Sequence, residues 1–211
     1  MWKLNKICNF ISYSVISAFF IFITPLTTLA EESGYIKGIV KTPWVKLSRA
    51  LVYLDRVEGR EFPPPEKNPF VSQKSFAFTP HVLPVLKGAT VDFTNDDGVV
   101  HNVFAPPGSA KRFNLGNYGA GVKKTVTFDK TGEVELRCNI HPEMLGYVIV
   151  LQNPYFALTD KKGNFEIGDI PPGKYRMIVW HERFKEASQE VTIEAGKSVS
   201  VKFSKKELKK R

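Results

Sequence analysis

The amino-acid sequence predicts an all-β protein, and three observations lead to that fold class. Runs of four to seven residues rich in Val, Ile, Phe, Tyr and Thr recur from residue 34 onward. Gly, Pro, Asn and Asp separate them, with turn signals such as DKTG (129–132), DKKG (160–163) and PPG (171–173). No stretch of ten or more residues shows convincing helical periodicity. Short, regularly spaced strands are typical of antiparallel sandwiches or barrels.

The first thirty residues have the order of a secretory signal peptide. Two lysines come before an apolar run over about residues 10–23, and TLA (28–30) offers a small-residue cleavage site after Ala30. We therefore expect a periplasmic or otherwise exported protein with no stable membrane insertion after cleavage. The alternative is that the segment is retained as a membrane anchor.

Removal of this segment changes the charge and the cysteine count. Loss of Lys3 and Lys6 lowers the formal net charge from +9 to +7, and loss of Cys8 leaves Cys138 alone. A single cysteine cannot form an intramolecular disulfide, and a bare thiol is a liability in an oxidising compartment. A lone exported cysteine is therefore either buried and inert or bound to something.

Eleven segments read as strands, and their alternation orients the side chains. In EVELRC (133–138), Cys138 lies on the apolar face, opposite the charged residues. In VVHNVFA, His101 shares a face with Val99 and Val103, so its imidazole is expected to point inward. The predicted strands are YIKGIV, ALVYLD, TVDFTN, HNVFA, KTVTFD, EVELRC, GYVIVL, NFEIG, YRMIVW, EVTIEA and SVSVKF.

The loop CNIHPEM (138–144) brings three soft or borderline metal ligands within seven positions: Cys138, His141 and Met144. With His101 they form a set of one thiolate, two imidazoles and one thioether. This is the ligand set of a type 1 (blue) copper site that transfers electrons. Thiolate and thioether stabilise Cu(I), whereas imidazoles suit both oxidation states. The set predicts one copper ion held by these four side chains.

Two alternatives remain open for these residues. Each of them taken singly is more often a core residue than a ligand. Cysteine with two histidines also suits zinc, with Asp96 or Glu143 as a fourth ligand, although zinc prefers harder or thiolate ligands over a thioether. Of the remaining histidines, His81 is expected to be structural or exposed. A second metal site or a partner contact is the lesser alternative for His181.

Residues 78–151 resemble the cupredoxins, of the plastocyanin and amicyanin type. The resemblance is carried by FTPHVLPVLKGATVDFTNDDGVVHNVFA and by GEVELRCNIHPEMLGYVIV. It implies a Greek-key β-sandwich, with His101 as the upstream imidazole, Cys138 as the thiolate, His141 as the second imidazole and Met144 as the axial ligand. It also implies that Asn102 ties the ligand loops together by hydrogen bonds, which would orient the ligands and tune the potential.

A second resemblance covers the flanks of this region. TDKKGNFEIGDIPPGKY (159–175) resembles the carboxypeptidase regulatory-like family, and that family's opening strands resemble GYIKGIV and ALVYLD. The resemblance implies a small transthyretin- or immunoglobulin-like sandwich in which the cupredoxin is inserted, or else a cupredoxin flanked by extra strands. The predicted parts are a signal peptide (1–30), the discontinuous regulatory-like sandwich (34–60 plus 153–205), the cupredoxin domain (67–152) and a basic tail (206–211).

The sequence therefore predicts an exported copper protein that carries single electrons between redox partners and is not an enzyme. A copper-delivery protein with the same ligands is the alternative, and a scaffold whose copper fold has lost its metal is a third. The positive charge favours partners with acidic surfaces. Nucleic acid is not expected, because no stacking motif is interleaved with the basic residues. The basic tail is expected to be solvated.

Overall fold

Strands form all the regular secondary structure in the part of the chain that the structure describes. This computed structural model describes residues 32–42, 49–204 and 206–210. The strands are β1 (Gly34–Val40), β2 (Leu51–Leu54), β3 (Phe70–Lys74), β4 (Ala77–Thr79), β5 (Val82–Leu86), β6 (Thr90–Asn95), β7 (His101–Ala105), β8 (Phe113–Tyr118), β9 (Lys123–Thr127), β10 (Gly132–Arg137), β11 (Leu145–Leu151), β12 (Phe156–Leu158), β13 (Asn164–Ile170), β14 (Gly173–His181), β15 (Phe184–Ile193) and β16 (Ser198–Phe203).

Strands β3 to β11 form what we call the central sandwich. Its two sheets have the strand orders β4-β3-β6-β9 and β5-β11-β10-β7-β8. Apolar side chains on alternate positions meet between the sheets, so that residues such as Val91, Phe93, Val134 and Leu136 are fully buried. Strands β7 and β10 are antiparallel neighbours in which Phe104 pairs with Arg137. This pairing sets which residues of the two strands lie side by side.

The remaining strands form the flanking sandwich, built from both ends of the described chain. Its sheets have the strand orders β13-β1-β16 and β12-β2-β14-β15. Strand β1 lies between a C-terminal partner on each side, antiparallel to β13 and parallel to β16. A core of its own lies between the sheets and includes Ile36, Leu54, Met177 and Phe203. The chain therefore leaves this sandwich after β2 and returns to it at β12.

The two sandwiches share a third hydrophobic cluster. Leu51 and Trp180 from the flanking sandwich pack with Tyr147, Ile149 and other residues of the central one. Trp180 is 1% exposed, and its indole Nε1–H donates to Glu133 Oε2 across 2.7 Å. The described part of the chain forms one compact unit. The domain boundaries predicted from the sequence therefore stay predictions.

The all-β prediction is confirmed, and each of the eleven predicted strands lies on a strand of the structure. Five further strands were missed: β3, β4, β5, β8 and β12. Four of them, β4, β5, β8 and β12, lack the expected pattern for a physical reason. Strand β5 contains Pro84, which is tolerated because β5 lies at a sheet edge. Strand β8 is polar and contains Gly116 at φ +68°, and β4 and β12 have three residues each.

Two sequence-based expectations are corrected. Val99 was expected to share the inward face of His101, but it is 43% exposed because β7 begins only at His101. The basic tail was expected to be solvated, but Leu208 is 6% exposed and packs in the flanking core. The backbone N–H of Lys185 also donates to the carbonyl of Lys209.

The predicted signal peptide, residues 1–30, lies outside the described residues. In the part of the chain that is described, we find no helix with the length and apolar character needed to cross a membrane.

The burial of Trp180 predicts its contribution to stability. We expect Trp180→Ala to lower the free energy of unfolding by about 3–5 kcal/mol, because it opens a cavity and leaves Glu133 without the indole donor. Denaturant unfolding measures the change. Phe70→Ala is the matched control, because Phe70 is 59% exposed. If both variants lost a similar amount of unfolding free energy, the predicted contribution of the shared cluster to stability would be wrong.

Candidate metal centre

A thiol and two imidazoles converge at one end of the central sandwich. Side-chain ligand atoms of His101, Cys138 and His141 all lie within 4.8 Å of one another. The two histidine Nδ1 atoms are 3.0 Å apart, and Cys138 Sγ lies 3.9 Å from His141 Nδ1. His101 is fully buried, Cys138 is 3% exposed and His141 is partly exposed. Lone pairs that face one another at this distance repel unless a cation or a proton lies between them, so the donor set fits a metal ion.

Strand pairing explains why these side chains meet. Phe104 pairs with Arg137, so His101 and Cys138 both follow the inward alternation at the same end of neighbouring strands. His141 then returns through the loop that leads to β11. The backbone N–H of Met144 donates to the carbonyl of His141 across 3.0 Å and closes this loop as a turn.

Asn102 forms hydrogen bonds between the segments that carry His101 and Cys138, and the tying role that the resemblance implied stays a prediction. Its backbone N–H donates to Cys138 Sγ across 3.4 Å, and its side-chain Oδ1 accepts the N–H of Asn139. Its Nδ2 donates to Asn114 on β8 across 2.9 Å. The residue is fully buried. It therefore fixes the position of the Cys138 thiol relative to His101.

Met144, the predicted axial ligand, lies close to the cluster in sequence and is 1% exposed. It packs in the same hydrophobic cluster as Cys138. Its position is compatible with the predicted role, which stays a prediction.

Asp97 contacts the nitrogen of His101 that points away from the cluster. Its Oδ2 lies 2.9 Å from His101 Nε2. Backbone N–H groups of Phe76 and Ser75 also donate to the carboxylate, across 3.1 and 2.7 Å. These two hydrogen bonds are the main reason that the pKa of Asp97 lies below its ordinary value, and His101 adds to the effect.

Phe76 lies at the tip of the β3–β4 hairpin and covers the partly exposed imidazole. Its ring centroid is 4.9 Å from that of His141 and 5.8 Å from that of His101, both in edge-to-face orientation. Ser75 and Phe76 have φ values of 54° and 56°, in the left-handed region that a two-residue hairpin turn requires.

A buried polar pair lies beside the cluster. Tyr118 on β8 is the cross-strand partner of His101 and is 5% exposed. Gln73 Nε2 donates to the Tyr118 hydroxyl and to the carbonyl of Thr94, whereas Gln73 Oε1 has no hydrogen-bond partner among the described residues. Burial raises the pKa of Tyr118, and the nearby Cys138 raises it further.

The other candidate residues lie outside the cluster. Asp96 accepts hydrogen bonds from Ser72 and Thr94, and Glu143 is exposed, so neither belongs to the donor group. His81 lies between Glu182, at 2.7 Å, and the carbonyl of Leu145, at 3.0 Å. His181 is fully buried, stacks on Phe184 and accepts the backbone N–H of Arg183. Both histidines contact neighbouring groups of the protein, and neither belongs to the donor cluster.

Comparison with protein families gives two partial matches. Residues 67–151 match the model of copper binding proteins, plastocyanin/azurin family. Residues 143–201 match the model of polysaccharide lyase family 4, domain II. The first match supports the cupredoxin resemblance of the central sandwich. The second falls where the carboxypeptidase regulatory-like resemblance was expected, and that resemblance stays a prediction.

Among solved structures, the chain is similar to copper proteins over part of its length. A reduced Cu(I) form of an amicyanin variant is 23% identical, with 42% of this chain and 91% of that chain covered and a TM-score of 0.38. A purple cupredoxin from Nitrosopumilus maritimus is 26% identical, with 39% and 99% covered and a TM-score of 0.36. A copper-containing nitrite reductase from Thermus scotoductus is 24% identical, with 55% and 28% covered and a TM-score of 0.40. No curated protein matches the chain.

The copper-binding family model and the donor cluster together support copper as the cofactor, as the sequence predicted. Three residues around the cluster were not predicted: Phe76, Asp97 and Tyr118. Tyr118 reaches it only through the β7–β8 register and Phe76 only through a tight turn. Asp97 had one weak signal, a carboxylate four positions before a candidate ligand.

The contacts of Asn102 predict a measurable role in the metal-free protein. We expect Asn102→Ala to lower the free energy of unfolding by about 1–3 kcal/mol, because two buried hydrogen bonds of its side chain are lost. Chemical denaturation in the presence of a chelator measures this change. Asn117→Ala, on the neighbouring strand but exposed, serves as the control. An unchanged stability of Asn102→Ala would contradict the tying role of the side chain.

Proposed function

We propose that this chain is an exported type 1 copper protein that carries single electrons between redox partners and transforms no substrate. The observation that carries the proposal is the buried thiol beside two imidazoles at the end of a sandwich that matches a copper-binding family model. Copper held there would supply a one-electron couple between Cu(I) and Cu(II). The proposed ligands are His101, Cys138, His141 and Met144.

The residues of the chain itself favour rapid electron transfer. Backbone pairing between β7 and β10 holds the segments that carry His101 and Cys138, and Asn102 donates its backbone N–H to the sulfur. Such pre-organisation keeps the rearrangement between oxidation states small. The cluster is dry on the Cys138 side, since that residue and Met144 are buried among apolar side chains. The partly exposed His141 offers the shortest route to the surface.

An apolar surface surrounds that route. The large hydrophobic side chains exposed in the described residues are concentrated here, where Phe76 packs on His141 and Ile140 precedes it in the loop. Val99 and Val100 lead into His101, and Asn95 joins the Val122 carbonyl to that of Val99. The side chains of Phe76, Val99, Val100, Val122 and Ile140 are each 40–48% exposed. We propose that a redox partner docks on this surface, with the basic charge of the chain favouring acidic partners.

Optical and electron paramagnetic resonance spectra test the copper site. With one equivalent of Cu(II), we expect an intense blue thiolate-to-copper band and narrow hyperfine splitting, both absent from Cys138→Ser. His81→Gln is a control that removes an imidazole outside the cluster and should keep both signals. A colourless protein, or a pale one unaffected by loss of the thiol, would exclude the electron-carrier proposal. Transfer of copper to an acceptor without redox cycling would favour metal delivery.

Electron self-exchange tests the docking surface. We expect Ile140→Lys to slow self-exchange at least about tenfold, because two copies would bring like charges together in an apolar contact. The rate is measured by NMR line broadening in mixtures of the Cu(I) and Cu(II) forms. Tyr35→Lys adds the same charge at an exposed site on β1 and should leave the rate within about twofold of the wild type. Equal slowing in both variants would place the contact elsewhere.

A further inference from the structure

The carboxylate of Asp97 joins two parts of the metal-binding end that are distant in sequence. We propose that Asp97 is a positioning residue. Its single carboxylate holds the Nε2–H tautomer of His101 and also fastens the hairpin that places Phe76 over His141. This role rests on the copper site proposed above.

The contact with His101 selects one tautomer. A carboxylate can only accept hydrogen bonds, so the Nε2 atom that lies 2.9 Å from Asp97 Oδ2 must carry the proton. In a neutral imidazole the lone pair is then on Nδ1, the atom that belongs to the donor cluster with Cys138 and His141. Carboxylate partners of this kind orient ligating histidines and raise their basicity.

The contact with the hairpin stabilises an otherwise costly turn. Two consecutive residues other than glycine have positive φ at its tip, a backbone conformation that is costly unless the surroundings hold it. Asp97 accepts the backbone N–H groups of both, Ser75 across 2.7 Å and Phe76 across 3.1 Å. The same turn directs the Phe76 ring at the two imidazoles, 4.9 Å from His141.

The carboxylate is itself held in place. The backbone N–H of Asp97 donates to Asn95 Oδ1 across 3.0 Å, and the Asp97 side chain is 14% exposed. Its neighbour Asp96 has the same charge, but its carboxylate accepts hydrogen bonds from the hydroxyl groups of Ser72, on β3, and Thr94. The chain therefore offers a matched control one position away. Asp96→Asn removes the same charge without touching His101 or the backbone N–H groups of Ser75 and Phe76 at the hairpin tip.

The experiment uses the metal-free protein and the variants Asp97→Ala, Asp97→Asn and Asp96→Asn. Long-range ¹⁵N–¹H correlation spectra at mildly alkaline pH report the His101 tautomer, and amide exchange reports the hairpin at Ser75 and Phe76. Asp97→Asn keeps the shape, but its one amide oxygen cannot serve all three donors. If the Asn amide N–H₂ faces the imidazole, the proton of His101 moves to Nδ1, as a carboxylate-to-amide change does in catalytic triads.

We expect a slowly exchanging Nε2–H on His101 in the wild type and in Asp96→Asn. In Asp97→Ala, this signal is lost together with the protection of both hairpin amides. In Asp97→Asn, either the Nε2–H signal of His101 or the protection of the hairpin amides is lost, or both are. The rest of the amide spectrum is retained, which shows that the fold is intact. A wild-type Nδ1–H tautomer would overturn the proposal. So would a change in only one of the two signals in Asp97→Ala, or equal changes in Asp96→Asn.

A second readout concerns the metal. We expect Asp97→Ala to weaken Cu(II) binding about 10–100-fold, with a smaller loss for Cu(I) and therefore a higher reduction potential. Each tenfold excess of the loss of Cu(II) affinity over the loss of Cu(I) affinity corresponds to a rise of about 59 mV in the reduction potential. Unchanged binding and potential would overturn the positioning role. Failure of the wild type to bind copper would instead refute the proposed function, because the tautomer and the hairpin are read without metal.

Discussion

The convergence of a buried thiol, the buried imidazole of His101 and the partly exposed imidazole of His141 is the constraint on which the metal-binding end of the molecule depends. Polar groups taken out of water need partners, and these three face one another. The surrounding protein supplies further partners. A backbone N–H reaches the sulfur, and a carboxylate reaches the outer nitrogen of His101. The pairing of β7 with β10 and these two hydrogen bonds position the thiol and the His101 imidazole.

The flanking sandwich supports the metal-binding end of the molecule through contacts with β11 and His81. The ligand loop opens directly into β11, whose side chains Tyr147 and Ile149 enter the cluster shared with the flanking sandwich. Glu182 on that sandwich lies 2.7 Å from His81, whose other ring nitrogen lies near the carbonyl of Leu145, the residue after Met144. A displacement of the flanking sandwich would therefore reach the ligand loop through one histidine and one strand.

Much of the fold could be predicted because the strands follow simple periodicity. Segments such as TVDFTN and EVELRC alternate apolar and polar residues, and their bounds agree with the structure to within one residue. Four of the five missed strands, β4, β5, β8 and β12, lie at sheet edges, where pairing with a neighbour holds a segment that has no clear alternating pattern. Strand β8 is held by pairing with β7 in spite of its polar sequence. The lysine-rich tail has the composition of a solvated segment, but Leu208 packs in the flanking core.

The sequence by itself determined the all-β class, the spacing of thiol, imidazole and thioether in CNIHPEM, and the inward direction of His101 and Cys138. Short-range geometry is sufficient for these, because alternation and spacing are local properties of the chain. Only the tertiary structure decided that His101 meets the loop 40 residues away, with its outer nitrogen on Asp97 and Phe76 at its edge. Those contacts depend on sheet register and on the left-handed hairpin turn, and neither is encoded in a local pattern.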